Sequence, residues 1–137
     1  TKMTYKIIDV EGIGNVNAKK LVEAGINTVD DLLQKAKNPA GRKTLEETTG
    51  ISGKSILKWA NHADLMRING VGPQFSELLE AAGVDTVKEL KHRVADNLQQ
   101  KLEEINNKKN LVNRVPSVSE VQKMIDQAKE LPAIMEY

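Results

Sequence analysis

Apolar residues recur along this chain at helical rather than strand spacing. In "VEGIGNVNAKKLVEAGINTVDDLL", residues 10–33, apolar or small side chains fall at Val16, Ala18, Leu21, Val22 and Ala24. That rhythm marks one face of a helix over about 15–24. It stops at Gly25, a residue type that readily adopts the left-handed conformation beyond a helix end. Thr28 with Asp31, Thr86 with Glu89 and Ser117 with Glu120 have the spacing of capping boxes, so a further helix is predicted to start at each. Pro73 suits the first turn of a helix, and Pro132 follows the point where the last one should end. Ile56, Leu57, Trp59, Ala60, Ala63 and Leu65 make a broad apolar stripe over about 52–66, a helix expected to pack against both halves of the chain with Trp59 at its centre. Only "YKIID" near the start alternates like a strand, and it has no obvious partner. The pattern predicts an all-α fold.

The pattern also repeats. Sliding the chain by 58 residues lays Gly12 on Gly70, Gly14 on Gly72, Leu21 on Leu79, Ala24 on Ala82, Gly25 on Gly83, Thr28 on Thr86, Val29 on Val87 and Leu32 on Leu90. Conservative pairs such as Val10 with Ile68 and Ile13 with Val71 fall between them. "LEE" at 45–47 corresponds to "LEE" at 102–104, and the segment from Ser52 resembles the one from Ser117, with extra residues in "NNKKNLVNR". An internal duplication follows, with a first unit at 1–65 and a second at 66–137 packed as a compact pair. Two copies are too few for an open solenoid.

Composition narrows the chemistry. The 137 residues contain no cysteine, which excludes disulfides, thiolate nucleophiles and sulfur-ligated zinc. No apolar stretch is long enough to cross a bilayer, and "TKMTYKII" lacks the layout of a secretory signal, so a cytoplasmic protein with no membrane partner is expected. Met3 is the expected natural start. Twenty Lys and Arg face 19 Asp and Glu, leaving +1 overall. Within 34–65, Lys35, Lys37, Arg42, Lys43, Lys54 and Lys58 outweigh Glu46, Glu47 and Asp64, a local excess of +3. Any affinity for nucleic acid must therefore come from a local patch or from backbone donors, and it must be salt-dependent.

"VEGIGNVNAKKL" and "INGVGPQFSELL" resemble the helix-hairpin-helix motif, and the trailing "AGINTVDDLL" and "AGVDTVKEL" extend the likeness to tandem helix-hairpin-helix domains of DNA-processing proteins. The whole chain, with "GRKTLEETTGIS", "KWANHADLMRI", "GVG" and "RVPS", also resembles an uncharacterised bacterial family, domain of unknown function 4332. The hairpin resemblance implies backbone amides aimed at a phosphate from the Gly-x-Gly turn and the following helix start. Carried onto this chain, the donors are the amides of Ile13, Gly14, Val16 and Asn17, with Gly12 allowing close approach and Lys19 or Lys20 adding charge. Gly70, Val71 and Gly72 are the equivalents in the second unit. There, Pro73 has no N–H and Glu77 replaces a lysine, Glu80 adds negative charge, and Arg67 is the only nearby compensation. The second hairpin is therefore expected to be structural or to bind protein. Acids also precede the first turn, at Asp9 and Glu11.

Enzyme readings are weaker. His62 and His92 do not correspond between units and lack metal-ligand spacing, so both are expected at the surface or at helix boundaries. Adjacent Asp30 and Asp31 fit a helix start rather than an acid–base pair, and "GISGKS" lacks phosphate-loop spacing. No cofactor, metal or catalytic residue is indicated. "KAKNPAGRK" and "NKKN" read as soluble loops. Two readings remain. One is a non-catalytic, sequence-independent binder of double-stranded DNA, since phosphate contacts carry no base information and sparse aromatics disfavour single strands. The other is a protein-interaction or scaffolding module on the same helical fold.

Overall fold

The computed structural model describes residues 5–137, so Met3 lies outside the described residues. The chain is all-α, with eight α-helices and no strand among the described residues: α1 (Gly14–Glu23), α2 (Val29–Ala36), α3 (Pro39–Thr49), α4 (Gly53–Leu65), α5 (Pro73–Ala81), α6 (Val87–Leu90), α7 (Ala95–Lys109) and α8 (Val118–Glu130). The alternation in "YKIID" resolves into a short 3-10 turn at Ile7–Asp9, preceded by a single antiparallel bridge between Lys6 and Thr28.

Helix boundaries follow their capping chemistry. Thr28 Oγ1 accepts from the Asp31 amide at 3.1 Å, and the Asp31 carboxylate accepts from the Thr28 amide at 3.1 Å. Ser117 and Glu120 repeat the reciprocal pair at 3.1 and 3.2 Å. Thr86 makes a looser version: its hydroxyl accepts from Glu89 at 3.4 Å, while the Glu89 carboxylate reaches the Asp85 amide at 3.5 Å. Gly25 and Gly83 sit at φ +91° and +89°, where a side chain is disfavoured, and so stop α1 and α5.

α3 was not expected from the sequence. "KAKNPAGRK" is not a loop: Asn38 caps the Gly41 amide at 2.8 Å, Pro39 opens the helix, and a Cβ at Gly41 would run into the Lys35 carbonyl. Most of "NKKN" likewise lies in α7, with Asn110 as its left-handed cap at φ 51°. Glu46, on α3, accepts from the Gly53 amide at the start of α4 at 2.6 Å. "GRKTLEETTGIS" is thus a helix–turn–helix junction, and Gly50 within it is the left-handed stop of α3.

The chain divides into two compact units, one running up to Asp64 and including Ile134–Tyr137, the other spanning Leu65–Ala133. In chain order the second unit is therefore flanked on both sides by residues of the first. In the first, α2 packs on α3 and the 3-10 turn on α1. Its buried side chains include Ile13, Leu21, Ile26, Leu32, Ile56 and Trp59. In the second, α7 packs on α5 and α8, and α6 on α8, around Ile68, Leu78, Leu79, Val84, Leu98, Leu102 and Ile125.

Candidate nucleic-acid interface

The two Gly-x-Gly segments share much of their wiring. Val10 and Ile68 donate to Ile7 and Leu65, Ile13 and Val71 donate to Val10 and Ile68, and Ile26 and Val84 donate to Leu21 and Leu79 at 2.9 Å each. Ile13 and Val71 are both 2 % exposed and plug their cores, so their side chains are structural.

The turns then diverge. Gly12 and Gly14 have φ of +84° and +74°, on either side of Ile13 at −67°. Alternating the sign of φ turns successive N–H groups towards one concavity, a nest suited to an anion. A Cβ built on either glycine would meet nothing within 4 Å, so the outer side of this bend is open. In the second hairpin Gly70 keeps φ +88°, but Gly72 is at −101° and the alternation is lost. The Met124 methyl lies 3.2 Å from where a Gly70 Cβ would stand, and the Asn69 amide donates to Gln127 Oε1 at 2.9 Å. Arg67 is turned to the Pro132 carbonyl at 3.0 Å, which engages the expected compensating charge. Pro73 occupies the first helical position, where it offers no donor.

α1 has no side-chain cap. Four amides at a helix start lack an intrahelical acceptor. Here Ile13 already donates to the Val10 carbonyl at 3.3 Å, which removes it from the expected donor set. Asn17 lies one position beyond the orphan amides, and its side-chain amide takes the Ile13 carbonyl at 3.1 Å. Gly14, Asn15 and Val16 are the amides left at the helix start; Asn15 was not anticipated because the motif alone does not fix which donors the turn consumes. Lys19 and Lys20 are exposed on the same helix. Asp9 is exposed nearby, its carboxylate accepting from the Lys6 amide at 3.2 Å, and Glu11 is half-buried.

Other candidate residues fall elsewhere. His62 is 1 % exposed, not at the surface, because it shares the buried face of α4 with Trp59, Ala60 and Ala63; His92 is exposed as expected. Asp31 is held below the usual carboxylate range, first by the Asn27 amide and then by Thr28, as a capping residue should be. Among the described residues no group of three His, Cys, Asp or Glu is placed to hold a metal, and no helix is long and apolar enough to cross a membrane.

The family model described as Domain of unknown function (DUF4332) matches residues 11–131. The chain belongs to this family. Neither the curated proteins nor the solved structures yield a match. The match spans both Gly-x-Gly turns and helices α1 to α8, and it carries an architecture without an assigned chemistry.

Proposed function

We propose that this family member is a non-catalytic, sequence-independent DNA-binding protein that meets the phosphate backbone through its first hairpin. The observation that supports this reading is the open, nest-forming Gly12–Ile13–Gly14 turn at the uncapped start of α1, beside exposed Lys19 and Lys20. A helix N-terminus and glycines that admit close approach favour phosphate oxygens, and such contacts carry no base information. Gly70, Val71 and Gly72 serve packing in this reading, since the Asn69 amide is taken by Gln127, Gly72 lacks the positive φ and Pro73 has no donor.

Fluorescence anisotropy with random duplex DNA at about 50 mM and about 200 mM salt tests it. Two lysine–phosphate contacts imply roughly tenfold weaker binding across that interval. The double variant Lys19→Glu, Lys20→Glu is expected to abolish binding. Absence of binding at low salt overturns the reading.

A second reading, a protein-interaction module on the same scaffold, is favoured by the half-buried Glu77 and Glu80 on α5, beside a hairpin with no open donor turn. Binding that persists in high salt and ignores duplex would select it.

A further inference from the structure

The first unit carries an apolar surface that meets the proposed phosphate site at Asn15 and Lys19 and extends away from it. Between the 3-10 turn and α1 lies a groove of about 520 Å³, walled by Ile7, Ile8, Ala18 and Val22. Ile8 is 40 % exposed and Val22 46 %, although both are large aliphatic side chains on ordered elements. Asn15 is three residues from Ala18 and four from Lys19, and Val22 is four from Ala18 and three from Lys19, so a single face of α1 forms one wall. Lys6 and Lys19 stand on the rim, and among the described residues no carboxylate lines the groove. Two acids stand close by, and both carboxylates are turned onto backbone amides: Asp31 onto those of Asn27 and Thr28 at 3.0 and 3.1 Å, and Asp9 onto that of Lys6 at 3.2 Å, so the side-chain charges lining the groove are the two lysines.

We propose that this groove docks a short protein segment that presents aliphatic side chains flanked by acidic residues. The apolar walls supply the burial, and the two lysines select charge of the opposite sign. The occupant is a peptide rather than a nucleic acid because duplex DNA presents mainly charged phosphates and offers little aliphatic surface to cover both Ile8 and Val22. The proposal stands independently of duplex binding. The two surfaces share Lys19 but not Lys20, which lies towards Thr48 and Thr49 on another face of α1.

Selection of short random peptides displayed on mRNA against the whole chain, with the Ile8→Asp, Val22→Asp variant as counter-target, tests the groove. Enriched peptides are expected to combine aliphatic and acidic residues and to shift the amide resonances of Ile8, Ala18, Lys19 and Val22. They should bind the double variant at least about tenfold more weakly, as for loss of a buried anchor. Both positions are exposed, so the variant should keep its helical circular dichroism, and a variant that unfolds is replaced by Val22→Ser. Lys20→Glu should weaken duplex binding and leave peptide binding unchanged, which separates failure of one surface from failure of the other. No enrichment, or enriched peptides that bind the variant equally or shift resonances elsewhere, overturns the proposal.

Discussion

Arg42 reaches across 94 residues of sequence to donate to the Glu136 carbonyl at 2.8 Å, while its other terminal nitrogen donates to the Ala36 carbonyl at 2.9 Å. The buried guanidinium thus ties the end of α2 to the last residues of the chain. The Glu136 amide completes the tie by donating to the Lys37 carbonyl at 2.7 Å, and the Tyr137 hydroxyl bonds Asn61 Oδ1 at 2.9 Å. Arg42→Ala leaves these carbonyls short of a donor and should cost about 1–3 kcal/mol. Urea denaturation measures the loss. Hydrogen exchange should quicken at Leu32, Leu33 and Leu45 and stay unchanged at Leu98 and Leu102, which lie in the other unit.

Glycine substitutions separate backbone strain from crowding. Gly12→Ala and Gly70→Ala both force a positive φ on a residue with a Cβ, at about 1–2 kcal/mol each. Only the second also crowds Met124, so Gly70→Ala should be the more destabilising. Adding Met124→Ala to Gly70→Ala should remove the excess, giving a coupling that the Gly12 background lacks. Thermal melts of the singles and the double measure it.

Glu120 should titrate far below an ordinary glutamate. Its carboxylate takes both terminal nitrogens of Arg114 at 2.9 and 2.8 Å and the Ser117 amide at 3.1 Å. Arg114 first and Ser117 second lower its pKa from 4.5 to about 2. Because the folded value lies below the unfolded one, the stabilising contribution is present above about 4.5 and disappears as pH falls through about 2. Carboxyl NMR titration should place the midpoint there, and Arg114→Ala should move it upward.

Trp59 is the only tryptophan and is 5 % exposed. Trp59→Ala should cost about 3–5 kcal/mol, read as a lowered urea midpoint by circular dichroism.

What could be read from the sequence was mostly local. Thr28–Asp31 and Ser117–Glu120 announce their helix starts because capping acts over three residues, and Gly25 and Gly83 announce the stops. Pro39, Gly41 and three lysines disguised α3 and its approach, since the reason for Gly41 is the Lys35 carbonyl six residues back rather than a turn of its own. Burial of His62 and Arg42 was hidden for the same reason: helical spacing tells which side chains share a face, not which polar members of that face end up inside. The neighbours of the second hairpin, Met124 and Gln127, lie more than fifty residues from Gly70, and the matching places in the first unit hold the unlike residues Trp59 and His62. The Gly-x-Gly spacing alone therefore could not tell which bend keeps its amides free of a neighbouring acceptor.

Gly14 at φ +74° and Gly72 at φ −101° occupy matching places in the two hairpins and differ in backbone conformation. Leu21 and Leu79 take equivalent amides, and Thr28 and Thr86 cap the following helix in each unit, while the backbone at the second glycine differs. Two stretches with the same glycine spacing can therefore carry different backbone paths, so likeness of sequence between the halves says little about whether both present their amides in the same way.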